Sequence, residues 1–167
     1  LNDIRNLQTA VTACNREKGH AQVALSYTLG DAYTLDYWME MAKRVEDMGA
    51  DSLCIKDMAA LLTPYEAETL VKDLKSAVKI PIQLHTHYTS GLASMCILKA
   101  VEAGVDGVDT AMSPLALGTS HAPTESIVAT FKGTEYDTGL DLVKLNVIRD
   151  YFMKLRKKYI DNGLLDP

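Results

Sequence analysis

Ile80-Pro81-Ile82-Gln83-Leu84-His85-Thr86-His87 is the stretch on which the fold turns. A short apolar run, opened by Pro and closed by the polar Tyr88-Thr89-Ser90-Gly91, predicts a strand. Side chains along a strand alternate faces, so His85 and His87 share one, with Gln83 behind them. Two imidazoles on one face at a strand end can ligate a metal ion, or can be hydrogen-bonded surface histidines. A bare His-x-His pair does not choose between these, so its surroundings must.

Before it lies Thr63-Pro64-Tyr65-Glu66, a capping box with Pro at the first helical position, followed by core-facing Ala67, Leu70, Val71 and Leu74. Earlier still, Asp51 to Met58 predicts a strand with Ser52, Cys54 and Lys56 on one face. A helix capped by Thr34 carries Leu35, Trp38, Met39, Ala42, Val45 and Met48 as one apolar stripe ended by Gly49. Ala21 to Tyr27 predicts a buried strand, and Asn6 to Lys18 a helix with Leu7, Ala10, Val11 and Cys14 inward. Beyond the His-x-His stretch, Gly91 leads into a helix through Ala93, Ile97, Ala100 and Val101 that closes at Gly104. Val105 to Met112 predicts a fourth strand, Ser113 to Pro123 a long loop, and Thr124 caps a helix to Phe131. Tyr136 to Leu140 reads as a short last strand. Leu142 to Tyr159 reads as a long helix with Leu142, Leu145, Ile148, Phe152 and Leu155 inward and a solvated basic end at Lys154, Arg156, Lys157 and Lys158.

Strands alternating with helices predict a parallel sheet. A doubly wound sheet and a (β/α)8 TIM barrel both fit, but a whole barrel needs ~250 residues. A chain of 167 residues has room for about five of eight βα units and a long C-terminal helix. The expectation is one domain, residues 1–167, forming the C-terminal part of a barrel whose N-terminal strands are missing. The absent initiator Met before Leu1 adds to the impression of a fragment. A net charge of −5 argues against nucleic acid as a partner. No apolar run reaches the ~20 residues of a membrane span, and Leu1-Asn2-Asp3-Ile4-Arg5 lacks the basic start and apolar stretch of a signal peptide. Cys14, Cys54 and Cys96 lie in apolar contexts without Cys-x-x-Cys spacing, which predicts reduced thiols and a cytoplasmic protein.

Three predicted strand ends are polar: Lys56-Asp57, His85 with His87, and Asp109-Thr110. In α/β folds, function gathers at such ends. If the Ser52-Cys54-Lys56 face is a barrel interior, Lys56 lies beside the histidines, ~5 Å across. A lysine there is costly unless paired. It can pair with Asp57 or Asp109, act as a Schiff-base nucleophile, or carry CO2 and become an anionic metal ligand.

Ile55-Lys56-Asp57-Met58-Ala59, Leu84-His85-Thr86-His87-Tyr88-Thr89-Ser90-Gly91 and Val108-Asp109-Thr110-Ala111 resemble the carboxyltransferase domain of biotin-dependent enzymes, the group of oxaloacetate decarboxylase alpha subunit, pyruvate carboxylase and transcarboxylase. Thr119-Ser120-His121-Ala122-Pro123-Thr124-Glu125 and Tyr136-Asp137-Thr138-Gly139-Leu140-Asp141 continue the resemblance, which covers nearly all of the chain. It implies a metal-dependent barrel with Lys56 as the carboxylated lysine, and His85 and His87 as paired ligands of Zn²⁺, or of Co or Mn. It implies that Thr119 shuttles a proton between biotin and the pyruvate enolate. Asp109 could orient a ligand or form a salt bridge to lysine, and His121 reads as structural or substrate-adjacent.

The family's remaining aspartate ligand and the arginine that grips the keto acid are expected before Leu1, in strands that the chain does not include. Leu1-Asn2-Asp3 resembles the tail of the third strand, so Asp3 is not taken as a ligand. No Ala-Met-Lys-Met motif is present, so biotin is expected on another domain or chain. The resemblance therefore implies carboxyl transfer between oxaloacetate or pyruvate and carboxybiotin through a metal-stabilised enolate. The Ser-His-Ala-Pro-Thr-Glu-Ser tail favours the oxaloacetate decarboxylase form, with membrane decarboxylase subunits among its partners. The alternatives are pyruvate carboxylase in its stand-alone subunit form or transcarboxylase, a related metal-dependent aldol-type lyase or synthase, and a non-catalytic fragment that only associates with partners. An open half-barrel also predicts a homo-oligomer.

Overall fold

Residues 2–165 are described by a computed structural model. In chain order the elements are α1 (Ile4–Arg16), β1 (Gln22–Ser26), α2 (Leu35–Asp47), β2 (Ser52–Asp57), α3 (Pro64–Ala77), β3 (Ile82–Thr86), α4 (Ala93–Glu102), β4 (Gly107–Val108), α5 (Thr124–Phe131) and α6 (Leu142–Asp161). A 3-10 turn at Ser113–Leu115 precedes α5. The strands form one parallel sheet in the order β1-β2-β3-β4.

Alternation sorts the strand residues into two sets. Val23 and Leu25, Leu53 and Ile55, and Ile82 and Leu84 pack into one core with Val11 of α1, Trp38 and Val45 of α2, Leu70 and Val71 of α3, Ile97 of α4 and Phe131 of α5. Helices α1 to α5 therefore cover the same face. The other face carries Gln22 and Ala24, both exposed, then Ser52, Cys54 and Lys56, then Gln83 and His85. A doubly wound sheet has helices on both faces and a reversal of strand order. A one-sided helical layer over strands in sequential order is a barrel wall, here four complete βα units led by α1.

The local signals act as their chemistry dictates. Thr34 Oγ1 accepts from the Tyr37 N–H at 3.3 Å, and the Glu66 carboxylate reaches back to the Thr63 N–H at 3.1 Å and hydroxyl at 2.7 Å. The two Gly-x-Asp echoes are one device used twice. Gly49 and Gly104 adopt φ of 87° and 92°, ending α2 and α4, and the following aspartates bond back to the preceding strand. Asp51 accepts from the Ala21 N–H and Asp106 from the Ile82 N–H, each at 2.7 Å.

Four sequence expectations need correction. Thr124 is the first residue of α5, following Pro123, and its hydroxyl meets Thr110 Oγ1 at 2.9 Å instead of capping. The fourth strand is only Gly107–Val108, because β4 is the sheet's edge and the chain soon turns to pair Ala111 with Pro123. Tyr136 to Leu140 is no strand. The Asp137 carboxylate accepts from the Gly133 and Gly139 N–H groups, each at 2.8 Å, a local alternative to a ladder. In α6, Leu145 is buried but Ile148 is 45% exposed, because the helix packs mainly against α5 and the 3-10 turn. The expected strand tail falls partly on Leu1, outside the described residues. Its neighbour Asn2 lies in no strand, but its side-chain amide meets both the N–H and the C=O of Ser26 at 2.9 and 3.1 Å. Asp3 caps α1 through the Arg5 N–H at 2.9 Å. Among the described residues, no helix is long and apolar enough to cross a membrane.

Two tests follow from the packing. Asp57 is fully buried and accepts from the Leu61 and Leu62 N–H groups and the Thr86 hydroxyl at 2.9, 3.0 and 3.1 Å. Asp57→Ala strands three donors, and urea unfolding should show a loss of ~2–4 kcal/mol; an unchanged midpoint would contradict this account. All three cysteines are free, and burial pushes the Cys54 thiol up to about 11 and the Cys96 thiol up to about 12. At neutral pH an aromatic disulfide reagent should label only Cys14 in the native protein, and all three after denaturation.

Candidate metal centre

The centre forms where β3 ends. Ile82, Leu84 and Thr86 are buried toward the helices, which leaves Gln83, His85 and, one residue past the strand, His87 on the opposite side. His85 Nδ1 lies 2.6 Å from Asp109 Oδ2, and His87 Nδ1 lies 2.6 Å from the Thr119 carbonyl. A third ring joins them. His121 Nδ1 lies 2.9 Å from the Thr86 carbonyl, and its ring centroid is 4.5 Å from those of both other histidines. His85 Nε2 and His87 Nε2 stand 3.4 Å apart. One ligand atom from each of the three histidines lies within 4.8 Å of the others.

The acceptors decide the tautomers. A carbonyl oxygen can only accept, so Nδ1 of His87 and of His121 carries a proton. An ionised Asp109 carboxylate imposes the same on His85. A ring anchored through Nδ1 has Nε2 as its remaining nitrogen for a metal ion. Asp109 is itself held. Its other oxygen accepts from Gln83 Nε2, and Gln83 Oε1 accepts from Gln22 Nε2 at 3.0 Å. A chain of amides thus crosses the open face and orients the carboxylate that orients His85.

His121 arrives by a loop that leaves β4 and returns beside it. Ala111 N donates to the Ala122 carbonyl and Thr124 N to the Ala111 carbonyl, at 3.0 and 2.8 Å. Between them the chain reverses at Leu117 and Gly118, both left-handed at φ 67° and 56°. For leucine that conformation is strained, and strain of this kind persists where surrounding contacts hold it. Here Leu117 N donates to the His121 carbonyl and Tyr88 N to the Ser120 carbonyl, each at 2.8 Å, tying the loop to itself and to the end of β3.

Lys56 pairs with His85 in the β2–β3 register, on the same open face, and with Ser26 of β1 on its other side. A cleft of about 580 Å³ opens beside it, lined by Ser26, Tyr27, Lys56, Met58 and Asn2. Neither expected carboxylate partner is available. Asp57 points to the opposite, helical face and is consumed by Leu61, Leu62 and Thr86, while Asp109 is taken by His85 and Gln83. No ion pair among the described residues involves Lys56. Thr119 enters through its main-chain carbonyl, and its side chain is exposed at the rim. Sequence reasoning missed the convergence of His121 on the pair and the Gln22–Gln83–Asp109 chain. No spacing signals either, because both are made by different elements meeting. The donor set, imidazole nitrogens with an anchored tautomer, suits Zn²⁺ and neighbouring divalent ions.

Comparison with known proteins places the chain in a family. The chain is 57% identical over 159 residues to a pyruvate carboxylase subunit of Methanocaldococcus jannaschii, covering 95% of this chain and 28% of that protein. It is 44% identical to the methylmalonyl-CoA carboxyltransferase 5S subunit of Propionibacterium freudenreichii subsp. shermanii, covering 95% of this chain and 32% of that protein. The chain therefore spans under a third of the length of these relatives. The carboxyl transferase domain of Rhizobium etli pyruvate carboxylase superposes with a TM-score of 0.93 at 39% identity, over 95% of this chain and 28% of that one. A family model described as HMGL-like matches residues 1–151, and the chain belongs to that family.

Proposed function

We propose that this chain forms the C-terminal part of a biotin-dependent carboxyltransferase barrel, which moves a carboxyl group between biotin and the methyl carbon of pyruvate. The observation that carries the reading is the register of Lys56 against His85, with both rings of the His-x-His pair anchored through Nδ1. The similarity to a pyruvate carboxylase subunit and to a carboxyltransferase subunit supports the same chemistry. Those relatives move the preferred direction from oxaloacetate decarboxylation, which the Ser-His-Ala-Pro-Thr-Glu-Ser tail favours, to pyruvate carboxylation.

In this reading Lys56 carries CO2 and, with His85 and His87, holds a divalent cation, preferentially zinc. When bound, that ion supplies Lewis-acid stabilisation to charge developing on the keto oxygen. The chain's own residues prepare the place. Asp109 fixes the tautomer and ring orientation of His85, and the Thr119 carbonyl does the same for His87. Lys56, without a carboxylate partner among the described residues, keeps its amine free to take up CO2. The cleft beside it opens toward Ser26, Tyr27 and Met58 and gives a keto acid access. For Thr119, the carbonyl is the contribution we favour over the hydroxyl relay that the resemblance implies. Biotin comes on a carrier domain or on another chain.

Native mass spectrometry and carboxyl exchange, on the full-length protein, test the proposal. Lys56 should carry the mass of one CO2, and Lys56→Ala should lower exchange between oxaloacetate and biotin by on the order of 10²-fold. An unmodified Lys56 in a metal-loaded, active enzyme would sink the reading. Asp109→Asn, which cannot impose the same tautomer, should weaken zinc retention by about 10–100-fold, as measured by competition with a chromophoric chelator.

A further inference from the structure

We propose that the aromatic groove between the start of α2 and the start of α3 docks a proline-rich segment of a partner protein. The groove encloses about 460 Å³ between Leu29, Tyr33 and Trp38 on one side and Tyr65, Glu66 and Leu70 on the other. It contains none of the histidines, nor Lys56 or Asp109. Its rings are first a structural device. Tyr33 precedes the Thr34 cap and Trp38 is the fourth residue of α2, the two positions of a hydrophobic staple, and their centroids lie 6.1 Å apart. Tyr27 stacks on Trp38 at 5.4 Å.

The staple leaves three features unexplained. First, Trp38 is only 5% exposed, yet its indole Nε1–H donates to no described residue. No buried polar side-chain atom lacks a partner, so this N–H still reaches open space, and the opening that Trp38 lines is the groove. Only something entering the groove can accept from it. The Tyr27 hydroxyl is a second donor there, since burial and then the charges of Glu66 and Asp57 push its pKa up to about 12. Second, the apolar rim stands out in solvent: Leu29 is 55%, Leu35 41% and Tyr65 74% exposed. Exposed apolar side chains gathered around one groove mark an interaction site. Small-molecule sites bury 70–90% of their ligand, and walls so exposed fit instead a chain that passes through. Third, Glu66 adds a carboxylate to the wall. Thr63 occupies its Oε2, and its Oε1 accepts from no described residue, which disfavours an anionic occupant.

A polyproline II segment matches each feature. Pyrrolidine rings pack on aromatic faces, and the conformation has no internal hydrogen bonds, so its carbonyls are free to accept from Trp38 and Tyr27. Proline brings no N–H, and a groove rich in donors has few acceptors for one. A basic residue flanking the prolines pairs with Glu66. Tyr27 and Tyr33 also line the Lys56 cleft, so a segment docked here is held beside it.

The test titrates the full-length protein with a labelled oligoproline peptide flanked by arginines, using a glycine–serine peptide of equal charge as control. Trp38 is the chain's one tryptophan. Its 19F resonance after 5-fluorotryptophan labelling, assigned by its loss in Trp38→Phe, should move with the proline peptide and not with the control. Trp38→Phe keeps the stacked ring without the donor and should weaken binding about fivefold to tenfold by fluorescence anisotropy. Tyr65→Ala, at an exposed position that the fold does not need, should weaken it tenfold or more. Glu66→Gln keeps the capping box and should weaken only the arginine-flanked peptide, leaving an uncharged oligoproline unaffected. Thermal unfolding checks that each variant is folded. Equal binding of the two peptides, or binding unchanged in both Trp38→Phe and Tyr65→Ala, would overturn the proposal. So would protection of Tyr65 from nitration without peptide, which would show the groove filled by a second copy or by another part of the protein.

Discussion

The burial of Leu53, Ile55, Ile82 and Leu84 against a single helical layer constrains everything else in this structure. A strand has period two, so a slip of one residue would drive Cys54 and Lys56, or Gln83 and His85, into that layer and expose the leucines and isoleucines. Each such apolar side chain is worth ~1.5–3 kcal/mol when buried, which holds the register firmly. With register held, Lys56 must stand beside His85, and Asp57 must turn to the helices. The polar face of the sheet is thus a consequence of packing on the other face. The site needs no apolar core of its own.

Polar contacts then refine what packing has placed. Asp57 shows how a buried carboxyl group is made tolerable: three donors converge on it, two of them main-chain N–H groups near the end of the loop into α3. The same loop lies at the site end of the sheet, so the carboxylate that closes the core also steadies the rim around Lys56. The histidines are treated in the opposite way. Their Nδ1 atoms are held by Asp109 and by two main-chain carbonyls, which turns the Nε2 atoms of His85 and His87 toward each other. Carbonyls are well suited to this because they cannot donate and cannot change protonation. The strained φ of Leu117 is the local cost of bringing the Thr119 carbonyl and His121 to the same place.

What was legible in the chain follows the range of the forces involved. Thr34, Thr63-Pro64-Tyr65-Glu66 and the Gly-x-Asp pair announce helix ends correctly, because caps and left-handed glycines act over a few residues. Thr124 misleads because a hydroxyl near a helix start has other partners once tertiary structure exists, here Thr110. Ile148 misleads because periodicity predicts an apolar face without saying whether anything covers it. Tyr136 to Leu140 has strand-like residue types, but Asp137 and Gly139 write a turn through local side-chain bonds.

The chain by itself determined the alternation of strand and helix, the shared face of His85 and His87, and the placement of Lys56 at the next strand end. All three are set by period and by neighbours along the chain. Only the tertiary structure decided that the sheet is a one-sided barrel wall, since helix placement depends on crossover connections and not on any residue's own preference. It alone decided that Asp109 serves His85 and not Lys56, and that His121, carried on a loop from beyond β4, completes a trio with the strand pair. Residues so far apart in sequence meet only through the folding of the elements between them, and no motif spacing records that meeting.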